Sequence, residues 1–178
     1  MANERVTIFI DGTNLSKGLK QCYGIERLDI ESFGQYLARD REIQAIYYAE
    51  APYIHERGAN NYDRQQSYLN QIRHVRGLIY RKGYYNKRSN PPVEKLTDVY
   101  LAVDMVDACH RNEFDTDFVI PGDADLCPAI DVLIREGKKV IIVYFDNAQR
   151  NAYALRNHAG GAFVNITKSI AEKFKWQV

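Results

Sequence analysis

Polar side chains that could do chemistry follow the apolar runs of this chain. Asp11 closes the run "TIFID", and Asn14 follows it closely. Asp123 and Asp125 come after "DFVIPG", and Asp98 opens a helical pattern after "EKLT". In open parallel sheets, functional groups collect just beyond the carboxyl ends of strands. We therefore expect these side chains to meet at one edge of a sheet.

Each of these residues also has a purely structural interpretation. Asp-Gly is common turn chemistry, which fits Asp11. Asp98 in a first helical turn, or Asp123 as an N-cap, would interact favourably with the helix dipole and stabilise its helix by about 0.3–1 kcal/mol. Asn14 could equally cap a helix or stabilise a turn. The combination favours a site, because three separate segments each supply a carboxylate and one supplies two.

Carboxylates at close quarters repel one another and stay ionised only if a cation joins them. Hard oxygen ligands select Mg²⁺ or Mn²⁺, which also take phosphate oxygens from a substrate. Such a centre can activate water for phosphodiester cleavage. We therefore predict metal-binding and catalytic roles for Asp11, Asp98, Asp123 and Asp125. Asn14 would hold a metal-bound water or a phosphate oxygen.

Three further residues near these motifs are assigned structural roles. Asp104 lies well off the helix face of Asp98, and Asp107 returns to that face two turns away. We predict solvent or structural roles for both. Cys127, close to Asp125, is interpreted as a small core residue rather than a nucleophile.

Strand-like and helical patterns alternate along the chain, which predicts an α/β fold with parallel strands and helices on both faces of the sheet. The predicted strands are "RVTIFI", "IQAIYYAEA", "GLIYRKGYY", "TDFVIPGD", "KKVIIVYFD" and "AFVNIT". The predicted helices cover residues 13–22, 29–40 with Asp29 as N-cap, 60–76, 97–112, 126–137, a short segment before the last strand, and about 168–178.

Composition places the chain among ordinary globular proteins, with 46% hydrophobic residues, 26% charged residues and a formal net charge of +1. We see no secretory signal and no apolar run near the roughly 20 residues of a membrane span. The three cysteines form no CxxC pair, which argues against a zinc knuckle or disulfide framework. Reduced cysteines fit a cytoplasmic protein.

A basic stretch, "RKGYYNKR", combines four cations with two tyrosines and contains no acid. Cations neutralise phosphates and aromatic faces stack unpaired bases, so substrate contacts are predicted for Arg81, Lys82, Tyr84, Lys87 and Arg88. A solvated strand end and loop is the equally weighted alternative. The basic C-terminal segment "KSIAEKFKW" is predicted to pack as a helix, with RNA, membrane or partner contact as alternatives.

The motifs "FIDGTNL", "KLTDVYLAVDM" and "DTDFVIPGDADLCPAIDVLIREGKKV" together resemble the NYN domain family, closest to its bacterial LabA-like branch, also called DUF88. The resemblance covers about residues 5–167. It implies a PIN-like three-layer α/β/α fold with a central, mainly parallel sheet of about five to six strands. It also implies a single domain over residues 1–178, with the C-terminal helix at about 168–178, and metal-dependent ribonuclease activity.

The resemblance assigns the family's acids to Asp11, Asp98, Asp123 and Asp125. The family's asparagine and lysine fall on Asn14 and Lys95, which adds Lys95 to the predicted substrate contacts.

The chain also departs from the family pattern. The usual Gly-Val before the second acid is Leu96-Thr97, the usual Ser is Pro121, and the aromatic after the last acid is Leu126. Pro121 removes a hydroxyl group that could bind metal or phosphate. All four carboxylates remain.

The sequence therefore predicts an endoribonuclease that uses Mg²⁺ or Mn²⁺ and acts on single-stranded or structured RNA. The alternative is a non-catalytic nucleic-acid-binding or protein-interaction module that retains the acidic pocket. A haloacid dehalogenase-type phosphatase is disfavoured, because its nucleophilic aspartate would fall on Phe9. No membrane contact is expected, and a homodimer is compatible with the sequence.

Overall fold

Helices and strands alternate along almost the whole chain. The computed structural model describes residues 4–53, 59–122, 124–145, 155, 158 and 160–177. The elements, in chain order, are β1 Arg5–Asp11, α1 Gly12–Tyr23, α2 Ile30–Ala38, β2 Glu42–Glu50, α3 Ala59–Ile72, β3 Leu78–Lys82, β4 Tyr84–Asn86, β5 Val93–Lys95, α4 Thr97–His110, β6 Thr116–Ile120, a 3₁₀ turn Ala124–Leu126, α5 Cys127–Arg135, β7 Lys139–Phe145, β8 Phe163–Ile166 and α6 Lys168–Lys173.

Six parallel strands form the central sheet, in the order β3-β2-β1-β6-β7-β8. Side chains of β1 alternate between two cores, as strands covered on both faces require. Ile8 and Ile10 pack with α1, α2, α3 and α6, whereas Phe9 packs with α4 and α5. This arrangement confirms the predicted three-layer α/β/α fold with a PIN-like sheet.

Local capping explains why α2 begins where the sequence predicts. The Asp29 side chain accepts hydrogen bonds from the Ser32 backbone N–H at 3.1 Å and from its hydroxyl at 2.9 Å. An N-cap of this type satisfies donors that the first helical turn leaves unpaired.

The predicted third strand, "GLIYRKGYY", is wrong as a single strand. It divides at Gly83 into β3 of the central sheet and β4, which pairs antiparallel with β5. A Cβ atom on Gly83 would lie 2.8 Å from both Lys95 O and Thr97 Cγ2. This close approach lets the chain leave the sheet and form a hairpin, whose tip holds most of the predicted loop 86–92.

The C-terminal helix begins at Lys168 as predicted but ends at Lys173 rather than near residue 178. Lys175 forms an isolated bridge with Leu28, and Trp176 N–H donates to Arg27 O. Tertiary hydrogen bonds replace the helical ones there. Helix α3 likewise ends at Ile72, earlier than predicted, and the short helix predicted before the last strand falls mainly outside the described residues.

None of the described helices is long and apolar enough to cross a membrane.

A buried polar network closes the sheet edge at the end of β2. Glu50 is fully buried, and its carboxylate accepts two hydrogen bonds from the Arg27 guanidinium, both at 2.7 Å. The Tyr48 hydroxyl donates to Glu50 at 2.8 Å and Gln65 Nε2 donates at 2.5 Å. Arg27 also lies 4.8 Å from the centre of the Tyr68 ring. The network joins the segment after α1 to β2 and α3.

A second buried carboxyl group, Asp117, lies in the centre of the sheet. It is fully buried opposite Thr7 of β1, and neither of its oxygens has a hydrogen-bond partner within the described part of the chain. Burial raises the pKa of Asp117 well above its ordinary value. Folding therefore favours the protonated form.

We expect Arg27→Met to lower the free energy of unfolding by about 3–5 kcal/mol, because it leaves the Glu50 charge buried without a partner. Replacing both residues, as Arg27→Met with Glu50→Gln, should recover much of that loss. Urea denaturation measures both. The control is Arg111→Met, which breaks solvent-accessible pairs with Asp107 and Glu113 and should cost less than about 1 kcal/mol. Equal losses for Arg27→Met and Arg111→Met would contradict the role of the buried pair.

We expect Asp117→Asn to be more stable than the wild type by an amount that grows with pH. The unfolded carboxyl ionises near its ordinary pKa of about 3.9, so wild-type stability is highest below that pH and falls as pH rises towards the raised folded pKa. The advantage of the variant should increase by up to about 1.4 kcal/mol per pH unit. Urea denaturation at pH about 5 and about 7 measures it.

Asp115→Asn is the control of opposite sign. The hydrogen bonds and charge of Arg5 lower the pKa of Asp115 to about 2. This variant should be less stable than the wild type at neutral pH, and the deficit should vanish as pH falls from about 4 to about 2. A stability gap for Asp117→Asn that stays constant with pH would overturn the assignment of a protonated carboxyl.

Candidate active site

Asp11 forms the floor of the site, at the carboxyl end of β1 and only 3% exposed. It is also the N-cap of α1: Asp11 Oδ1 accepts from the Asn14 N–H at 2.9 Å, and Asp11 Oδ2 accepts from Asn14 Nδ2 at 2.6 Å. The capping interpretation of Asp11 and Asn14 is therefore confirmed, and their functional interpretation stays a prediction. The cap fixes the direction in which the carboxylate points.

Gly12 allows α1 to begin immediately after this carboxylate. A Cβ atom at Gly12 would lie 2.4 Å from two ring carbons of Tyr48. Because that ring also belongs to the Glu50 network, any side chain at position 12 would push α1 away from β2.

Burial raises the pKa of Asp11 to about 7. The two hydrogen bonds from Asn14 oppose this shift, and the charges of Glu94 and Asp98 add to it. The ionised form of Asp11 is therefore costly in these surroundings. A cation near Asp11 would favour its ionisation.

Glu94 is a site residue that sequence reasoning missed. The β4–β5 hairpin carries it back over the sheet edge, where Glu94 Oε1 accepts from the Thr13 hydroxyl at 2.9 Å and from Ala51 N–H at 3.0 Å. Burial raises its pKa, against those hydrogen bonds and the charge of Lys17. Its alternation with exposed Val93 and Lys95 in "VEK" was a weak signal that its side chain points inward.

Asp98 lies in the first turn of α4, half-buried, and acts electrostatically on Asp11. The preceding Leu96 is the N-cap, with φ 78° and no side-chain capping bond. A non-glycine residue in this left-handed region is strained by about 1–2 kcal/mol. Leu96 stands where the family pattern has glycine, so the substitution places strain two residues from a predicted metal ligand.

The segment after β6 approaches Asp11 closely. A Cβ atom on Gly122 would lie 2.3 Å from Asp11 Oδ2 and 2.1 Å from Asn14 Nδ2. Asp123 follows directly but lies outside the described residues. Asp125 is exposed in the 3₁₀ turn. The fold thus brings Asp11, Asp98 and the chain leading to Asp123 to one edge.

The predicted substrate contacts have different surroundings. Arg81 donates two hydrogen bonds to the Asp104 carboxylate, from Nε and a terminal nitrogen, both at 2.7 Å. Asp104 is 6% exposed, which agrees with its predicted structural role. The exposed positions are Lys82, Tyr84, Lys87, Arg88 and Lys95, all on the end of β3 and the β4–β5 hairpin. Asn14 is half-buried against Asp11.

The donor chemistry of the edge fits a hard divalent cation. Asp11, Asp98 and Glu94 offer carboxylate oxygens, the ligands that Mg²⁺ and Mn²⁺ prefer. Over the residues that the structure describes, which omit Asp123, no three potential ligands converge closely enough to hold an ion by themselves.

Comparisons with known proteins agree with this fold. A family model described as the NYN domain matches residues 5–167. A search of curated proteins gives no match. Among solved structures, the crystal structure of a Vibrio parahaemolyticus protein of unknown function is similar, with a TM-score of 0.71 and 19% identity over 92% of this chain and 93% of that one. This likeness establishes a shared fold.

We expect Leu96→Gly to raise the free energy of unfolding by up to about 1 kcal/mol. Relief of about 1–2 kcal/mol of left-handed strain exceeds the roughly 0.5–1 kcal/mol that glycine adds in unfolded-chain entropy. Leu96 is 40% exposed, so little packing is lost. Chemical denaturation measures the change. Leu96→Ala, which keeps the Cβ atom, is the control and should bring no gain; equal effects of both variants would refute the strain.

Proposed function

The chain belongs to the NYN domain family, whose members are generally nucleases, and from this premise we propose that it is a divalent-metal-dependent endoribonuclease. One observation carries the proposal. Asp11 is buried at the carboxyl edge of the sheet, where burial and the neighbouring Glu94 and Asp98 carboxylates oppose its ionisation. An acid in that environment fits a cation site better than a capping role alone.

The proposed ligands are Asp11, Asp98, Asp123 and Asp125. When bound, a Mg²⁺ or Mn²⁺ ion would supply Lewis-acid activation of water and charge stabilisation for phosphodiester hydrolysis. Glu94 extends the proposed set, either as a ligand or as a group that orients one. Its two hydrogen bonds, from Thr13 and Ala51, fix Oε1, and within the described part of the chain no hydrogen bond to Oε2 is seen.

The protein's own residues would position the RNA. Asn14 holds Asp11 in place and can offer its amide to water or a phosphate oxygen. The exposed cations Lys82, Lys87, Arg88 and Lys95, with Tyr84, follow the hairpin that also carries Glu94. Arg81, paired with Asp104, would act by orienting β3 or by exchanging Asp104 for a phosphate group of the RNA.

The proposal also includes four finer points: membership of the LabA-like (DUF88) branch, a single domain over 1–178, a cytoplasmic location and RNA as the substrate.

We expect purified protein to cleave end-labelled single-stranded or hairpin RNA in Mn²⁺ or Mg²⁺ and to lose cleavage in EDTA. Asp11→Asn and Asp123→Asn should each lower the rate by at least about 100-fold, because each removes a predicted ligand. Asp107→Asn is the control, since Asp107 is exposed and pairs with Arg111 far along α4. Gel analysis of the products measures the rates.

Metal binding gives a second readout that is independent of turnover. Mn²⁺ should raise the melting temperature of the wild type and of Asp107→Asn but not of Asp11→Asn. Cleavage that survives both catalytic-site variants would indicate a contaminant. RNA binding that persists in all variants without any cleavage would favour the alternative, a nucleic-acid-binding module that retains the pocket.

A further inference from the structure

A cavity of about 400 Å³ lies between α1, α3 and the C-terminal segment. Its volume is within the roughly 300–1,000 Å³ of small-molecule sites. Its walls combine cations, amides and two aromatic side chains, and none of these residues belongs to the acidic site.

Two cations of this cavity already hold an anion from the chain. Lys20 Nζ lies 3.6 Å from Glu26 Oε1, and Arg64 approaches Glu26 Oε2 at 3.2 Å. The three side chains are 39–68% exposed, so the pairs are screened by water and contribute little to stability. Cations from two helices thus converge on one carboxylate.

The aromatic wall is fixed in place. Trp176 Nε1 donates to Gln71 Oε1 at 2.7 Å, and the Trp176 ring packs edge-on against Tyr68 with 5.2 Å between ring centres. Tyr53 lies on the same cavity, with its backbone N–H donating to Gln65 Oε1 at 2.5 Å. A rigid aromatic face next to cations is the arrangement that binds unpaired bases of single strands.

The cavity adjoins the acidic edge through α1. Lys17 lines the cavity and also lowers the pKa of Glu94, whose principal shift is upward through burial. Helix α1 begins next to Asp11, and Lys17 and Lys20 lie six and nine positions further along it, which corresponds to about 9 Å and about 13.5 Å of helix rise. A nucleotide in the cavity and a phosphodiester at Asp11 could therefore belong to one strand.

We propose that this cavity binds one unpaired nucleotide of the RNA strand, close to but not directly adjacent to the phosphodiester that is cleaved. The base would lie against Trp176 and Tyr53, and its phosphate between Lys20 and Arg64 in place of the Glu26 carboxylate. The link to cleavage rests on the proposed ribonuclease function, whereas nucleotide binding is measurable without it.

Trp176 is the only tryptophan of the chain, so its fluorescence reports on the cavity. We would titrate the 178-residue protein with uridine 5′-monophosphate in EDTA and expect saturable quenching of its fluorescence. Uridine and inorganic phosphate, each supplying half of the contacts, should bind at least about tenfold more weakly. Arg64→Gln should weaken binding by roughly three- to tenfold and Glu26→Gln should tighten it.

Arg111→Gln is the matched control. Arg111 is 53% exposed and Arg64 56%, and each pairs with a neighbouring carboxylate, but Arg111 lies at the end of α4 outside the cavity. It should leave the titration unchanged. Absence of quenching, or an equal loss in both arginine variants, would overturn the proposal.

RNA cleavage separates this proposal from the proposed function. If both hold, Arg64→Gln raises the KM for RNA while kcat changes little, and Arg111→Gln changes neither. Fluorescence quenching by the nucleotide, without RNA cleavage in any metal, would support the nucleotide-binding cavity and contradict the proposed nuclease function. RNA cleavage with the same KM in Arg64→Gln and in the wild type would show that the cavity does not bind the RNA substrate.

Discussion

Glu50 is held away from water by Arg27, Tyr48 and Gln65, and the geometry of the sheet edge follows from that arrangement. The Tyr48 ring, fixed by this bond, lies so close to Gly12 that only glycine fits there. Helix α1 can then begin directly after β1. The backbone N–H and the side-chain amide of Asn14 consequently reach the Asp11 carboxylate. A buried ion pair at the end of β2 thus helps to set the position of an acid at the end of the neighbouring strand, β1.

The acidic residues of this protein differ in whether a basic side chain pairs with them. Glu50 and Asp104 each face an arginine at 2.7 Å, so their charges are matched within the fold. Asp11 is bonded instead by the uncharged Asn14, and its charged neighbours are Glu94 and Asp98. Folding brings carboxylates near one another at this edge without a basic partner for Asp11 among the groups that shift its pKa, and in the proposed function a cation would compensate their charge. The strained Leu96 next to Asp98 adds a conformational cost at the same edge.

Predictions based on local patterns agree best with the structure. The burial of β1 and the Asp29 cap of α2 depend on neighbouring residues. The parallel arrangement of the sheet follows from the alternation of strands and helices along the chain. Errors occur where distant contacts override local preference. Gly83 ends β3 because Lys95 and Thr97 pack against it, and α6 stops at Lys173 because Leu28 and Arg27 pair with the residues that follow.

The sequence by itself determined which acids follow strands, and therefore which could share an edge, because parallel strands place their carboxyl ends together. It also determined that Asn14 would lie within reach of Asp11, since an N-cap side chain accepts from the backbone N–H three positions later. Only the tertiary structure decided that Glu94 lies near them, that Arg81 pairs with Asp104, and that Trp176 and Arg64 line one cavity. These residues are 23 to 112 positions apart in the sequence, and they come together only once the hairpin and the C-terminal segment have packed.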